Sequence, residues 1–132
     1  MTNTKQINLP ITRVLTAGAI SGIVSAVIAN IYHAIQSNLS ATSYTELNLV
    51  SITMASIVPN LIGGLAYLGL SRVSSRATTI FIALGLGFAV LSNIPQLIQP
   101  LHPGFAAASI PLHLIVGVVA VVLIPRLSQP KA

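Results

Sequence analysis

Five side chains in this sequence have the chemistry and the spacing to act together: Asn30, His33, Asn60, Asn93 and His113. All five lie inside long apolar stretches. A carboxamide offers two donors and an acceptor, and a neutral imidazole offers one of each. Such groups could surround a polar ligand or solute. Two histidines on separate segments could also ligate a haem or hold a metal ion. No carboxylate or thiolate in the apolar stretches would complete a metal site, and no motif specifies haem. The expected cofactor set is therefore none, and the expected metal set is none. The plainer role for the three amides is hydrogen bonding between helices, worth about 0.6 kcal/mol per bond.

Catalysis has less to build on. The only acid, Glu46, lies in a polar segment, SNLSATSYTELN, rather than in an apolar one. A serine nucleophile needs a positioned base, and no spacing singles out Ser92 or Ser109 with a histidine. Gly63-Gly64 and Gly85-Leu86-Gly87 follow no strand, so they read as packing glycines rather than phosphate loops. Without cysteine there is no disulfide, thiolate site or Cys-linked lipid. No catalytic residue is expected.

The elements that must position these groups follow from composition. Hydrophobic residues make up 54% of the 132 residues, and charged residues only 5%. Soluble domains carry about 25% charged residues, so the exterior is expected to be lipid. The net charge of +5 suggests no nucleic acid, because six bases are dispersed and no Trp is available to stack.

A crossing helix needs about 20 mainly apolar residues. Charges and turn formers divide the chain into four such stretches, about 13–36, 49–71, 76–98 and 105–125. Gln99-Pro100-Leu101-His102-Pro103-Gly104 separates the last two. Ser43, Thr45 or Asn48 is placed to cap the second helix. The whole chain, 1–132, reads as one all-α domain: an integral membrane, antiparallel four-helix bundle. Lys5 and Arg13 followed by an apolar run resemble a signal peptide with Val27-Ile28-Ala29 at its cleavage site, but the run has the length of an anchor.

Lys and Arg favour short cytoplasmic loops. With four crossings, Lys5, Arg13, Arg72, Arg76, Arg126 and Lys131 share one side, and Glu46 is on the other. Both termini are thus expected to be cytoplasmic, in the inner (plasma) membrane.

Helices in lipid meet through small residues and polar side chains. Each span carries such a stripe at i, i+4 spacing, on one face. They are Gly18, Gly22, Ala26 and Asn30, with His33 a turn on; Ser56, Asn60 and Gly64; Gly85, Ala89 and Asn93; and Ser109, His113 and Gly117. The strongest polar group of every span lies on its stripe, so both signals choose the same inward face. Counting along the spans gathers the five polar residues into a cluster in the outer half. The inner half, with Gly117–Ile124, is drier. Pro59, Pro95 and Pro111 sit beside Asn60, Asn93 and His113, and each removes a backbone hydrogen bond there.

Three groups of residues carry a resemblance. They are Arg13-Val-Leu-Thr-Ala-Gly18; Ile57-Val58-Pro59-Asn60 with Gly63-Gly64; and Leu112-His113-Leu114-Ile115-Val116, with the ending Leu123-Ile124-Pro125-Arg126-Leu127. In this order they resemble a family of small bacterial four-span membrane proteins of unknown function. The resemblance implies a fold and a membrane location, and no catalytic residues. The leading expectation is a non-enzymatic interaction or accessory subunit, a homo-oligomer or bound to a larger membrane partner. The alternative is a small transporter or channel-like protein using the outer polar cluster. A haem- or quinone-binding redox subunit is a weaker third.

Overall fold

The computed structural model describes residues 8–131. Lys5, one of the bases ahead of the first span, lies outside the described residues. Among the described residues the regular elements are all helices: α1 Ile11–Ser40, α2 Leu49–Val73, α3 Ala77–Leu91, α4 Ile94–Ile98 and α5 Phe105–Ser128. Four spans among the described residues are long and apolar enough to cross a membrane, with α3 and α4 forming one of them. This is the make-up of a multi-pass membrane protein.

Local chemistry sets the helix ends. Pro10, extended and lacking an N–H, precedes α1. The helix runs a turn past residue 36, where Ser37 and Asn38 both donate to the Ala34 carbonyl. Asn48 fills the cap of α2. Its Oδ1 accepts from the Val50 and Ser51 amides at 3.0 Å, while Ser51 Oγ accepts from the Asn48 N–H. Such a box stabilises a helix start by about 1 kcal/mol. Gly104 enters α5 at φ 77°, where a β-carbon would be strained and would also sit 2.9 Å from the Tyr44 hydroxyl.

The stretch 76–98, expected as one helix, is broken. Pro95 has no N–H to give the Leu91 carbonyl, and its ring crowds that residue. The chain turns at Ser92-Asn93 and resumes as the five-residue α4. The Asn93 N–H falls back on the Val90 carbonyl at 3.1 Å, an i−3 bond.

Two seams organise the packing. Along α1 and α2, backbone meets backbone. A β-carbon on Gly18 would lie 2.7 Å from the Asn60 carbonyl oxygen, and one on Gly64 would lie 2.5 Å from that of Val14. Positions rise on α1 as they fall on α2, from Val14/Gly64 through Gly18/Asn60 to Gly22/Ile57. Along α3 and α5, Gly85 receives Val121 and Gly117 receives Ala89. The largest core joins the seams near the basic helix ends, with Val14, Tyr67, Phe81, Val121 and Ile124 buried together. A smaller one, Ala29, Ile52 and Leu112, lies toward the opposite end. The outer faces are apolar, with Ile62 61% and Phe88 70% exposed.

Candidate functional site

The α1–α2 seam holds Asn60, whose side chain is 0% exposed. Its Oδ1 accepts from Ser21 Oγ at 2.5 Å. Its Nδ2 donates to the Ser56 carbonyl at 2.8 Å and to Ser25 Oγ at 3.4 Å. Ser56 Oγ in turn donates to the Ile52 carbonyl. Every polar atom of the amide is thus engaged. A turn away, Asn30 Nδ2 donates to the Ala26 carbonyl at 2.8 Å and to Thr53 Oγ1 at 3.2 Å. Ser21, Ser25 and Thr53 were not singled out in the sequence. Ser21 and Ser25 are themselves i, i+4 neighbours adjoining the Gly18/Gly22 stripe, and that was the available signal.

The α3–α5 seam is built from similar parts and closes differently. Each step of four up α3 answers a step of four down α5, from Gly85/Val121 through Ala89/Gly117. Asn93 lies just past the end of α3, at the break ahead of α4. Asn93 is 4% exposed. Its Nδ2 donates to the Ala89 carbonyl at 2.6 Å, which fixes the amide, because a flip would face oxygen to oxygen. Its Oδ1 is buried and has no partner. A buried acceptor left unsatisfied costs about 1–3 kcal/mol.

On α5, His113 is half-buried. Its Nδ1 lies 3.1 Å from the Ser109 carbonyl oxygen. A carbonyl only accepts, so Nδ1 is the donor in this contact. Ser109 Oγ donates to Gln96 Oε1, tying α5 to α4. The Ser92 hydroxyl donates to the Ala89 carbonyl. Neither serine hydroxyl is bonded to a histidine.

His33 stands apart. Its Nδ1 is enclosed without a partner, on the last turns of α1. No hydrogen bond joins any two of Asn30, His33, Asn60, Asn93 and His113 among the described residues. Asn30 and Asn60 both bond across the α1–α2 seam, while Asn93 and His113 each bond to the backbone carbonyl four residues earlier. Among the described residues, no three His, Cys, Asp or Glu side chains are placed to share a metal ion.

The ends of the assembly carry two further polar groups. At the basic end, the Tyr67 hydroxyl pairs with Thr78 Oγ1 at 2.9 Å, and Gln129 Nε2 donates to both at 3.2 Å. At the other end, His102 of the turn before α5 reaches the α1–α2 connection. Its Nε2 donates to Glu46 at 2.7 Å, and its ring stacks on Tyr44. The Tyr44 hydroxyl donates to the Pro103 carbonyl at 2.9 Å. The hydrogen bond from His102 holds the Glu46 carboxyl below the ordinary carboxylate value, with its own backbone N–H and the His102 charge adding to the effect. Residues so far apart in the chain give no local signal of pairing.

Residues 6–130 match the model of a family described as "Family of unknown function (DUF6069)". No curated protein and no solved structure matches the chain.

Proposed function

The chain belongs to DUF6069, a family of unknown function, and from that premise we propose a non-enzymatic multi-pass membrane protein that acts as an interaction or accessory subunit. It is an antiparallel four-helix bundle in the inner (plasma) membrane, with both termini cytoplasmic. Arg13, Arg72, Arg76 and Arg126 at one set of helix ends support that orientation, with Glu46 in the connection at the other.

The observation that carries the subunit reading is the closed state of Asn60. A solute path needs polar atoms left free to line it, and the most deeply buried amide spends all of its own on Ser21, Ser25 and Ser56. A non-enzymatic role is supported by the confinement of the sole acid to a loop.

The partner is a second copy of the chain or a larger membrane protein. The outward face of α3 supports self-association. Thr79 and Ala83 are exposed there at i, i+4 spacing, and a β-carbon on Gly87 would meet nothing within 4 Å. Small residues on a lipid-facing surface let another helix approach closely.

Native mass determination of the protein extracted from its membrane tests this. The expected result is a homo-oligomer or a defined complex, dissociated by Gly87→Leu when the chain pairs with itself. A monomer that alone carries solute flux in liposomes would overturn the reading in favour of a small transporter.

A further inference from the structure

We propose that the groove between the start of α1 and the end of α5 binds the headgroup of an anionic phospholipid of the surrounding bilayer, with Arg13 as its counter-charge. This does not rest on the subunit reading.

The groove is open at the protein surface and has a volume of about 400 Å³. Thr12, Arg13, Thr16, Ala17 and Ile20 line it from α1, and Leu127 lines it from the last turn of α5. Ala17 is buried, and the other five are exposed. A ligand entering here therefore meets accessible side chains.

The lining is graded along α1. Thr12, Arg13 and Thr16 occupy the first two turns, and Ile20 follows about 10 Å beyond Arg13. Ile23 and Val27 carry on from Ile20 at i+3 and i+7, and are 56% and 54% exposed. A headgroup at Arg13 would lay its acyl chain along this apolar strip. The Thr16 hydroxyl already donates to the Thr12 carbonyl at 2.8 Å. The remaining donors among the lining side chains are the Arg13 guanidinium and the Thr12 hydroxyl. A phosphate diester accepts and cannot donate, so it matches them, and its bonds to a guanidinium are charge-assisted.

Charge selects the anion. Arg13 finds no carboxylate side chain within its own fold. The only acid, Glu46, lies past the far end of α1, about 40 Å away by helix rise, and is bonded to His102. Arg72, Arg76 and Arg126 share the basic end with Arg13, and their field adds to its pull on an anionic lipid. Phosphatidylcholine would bring its ammonium into that field. Phosphatidylglycerol carries the phosphate charge alone.

The test uses the full chain in phosphatidylcholine nanodiscs with a rising fraction of dioleoylphosphatidylglycerol, followed by the backbone amide NMR signals of Thr16, Ala17 and Leu127. Saturable shifts are expected. Arg13→Gln should weaken binding about tenfold. Leu127→Trp, which keeps every charge and fills the groove, should weaken it by a similar factor. Arg76→Gln removes a base from the same end outside the groove and should weaken it much less. Equal losses in Arg13→Gln and Arg76→Gln would overturn the proposal, because the attraction would then belong to the basic end as a whole. Shifts that never saturate, unchanged affinity in Leu127→Trp, or the same shifts from inorganic phosphate in pure phosphatidylcholine discs would each overturn it as well.

Discussion

The α1–α2 and α3–α5 seams use the same vocabulary: a glycine-alanine stripe, a deeply buried asparagine and a nearby proline. They differ in what surrounds the asparagine. Asn60 meets serines from the facing helix as well as its own backbone, so its amide is fully satisfied. Asn93 meets only its own backbone, and its oxygen is left over. Close helix approach therefore does not by itself satisfy a buried amide. A hydroxyl must arrive from the opposite helix in register. The first seam is built to hold, and the second keeps unused bonding capacity in its interior.

The largest expected effect tests how rigid the first seam is. Gly64→Ala puts a methyl 2.5 Å from the Val14 carbonyl, and backbone there cannot rotate away. A loss of about 3 kcal/mol is expected from such overpacking, measured as unfolding of the protein in detergent micelles. Gly69→Ala is the control, because nothing lies within 4 Å of the added carbon. It should be neutral or stabilising by up to about 1 kcal/mol through helix propensity. Equal losses at both glycines would show that the seam does not depend on close approach.

Replacing the two asparagines separates the seams by their polar groups. Asn60→Leu strands the hydroxyls of Ser21 and Ser25 and should cost about 1–3 kcal/mol. Asn93→Leu removes one bond to Ala89 but also removes the orphan oxygen, so its net cost should be below about 1 kcal/mol. The same unfolding assay reads both. A larger loss at Asn93 than at Asn60 would reverse the assignment of closed and open seams.

Much of this was legible in the sequence, for identifiable reasons. The stripes through Gly18, Gly64, Gly85 and Gly117 mark the close-packed faces, because helix periodicity is local. Pro95 beside Asn93 announces trouble in the third span, although the full break at Ser92-Asn93 appears only in the structure. The partition of the five polar residues was not legible. Whether Ser21 faces Asn60, or Gln96 faces Ser109, depends on the register between helices far apart in the chain, and no single helix encodes that. The pairing of Glu46 with His102 was hidden for the same reason. Asn48 was visible as one of three caps and was chosen by its reach to the Val50 and Ser51 amides.

A smaller effect concerns the break. Pro95→Ala restores an N–H that the Leu91 carbonyl can accept, which favours fusing α3 and α4. Amide hydrogen exchange across Ile94–Ile98 should slow by about tenfold, the equivalent of one added hydrogen bond. Unchanged exchange would mean that the Gln96–Ser109 contact, rather than the proline, sets the angle of α4.

The smallest effect lies outside both seams, where the connections at the Glu46 end meet. His102 donates to Glu46 at 2.7 Å and lowers its carboxyl below the ordinary value in the folded chain. The folded state thus binds the proton less readily than the unfolded state does. The resulting stability is present in full above the unfolded carboxylate value and is lost as pH falls through the folded one. Both side chains are exposed, so solvent screens the pair and the change should be slight. Glu46→Gln should flatten the difference: wild type and variant should converge in unfolding midpoint as the medium is acidified through the carboxylate range. A gap that stays constant with pH would show that the difference does not come from the Glu46 charge. Acid should therefore loosen the clasp between the two connections while leaving the Asn60 network, which has no ionisable member, untouched.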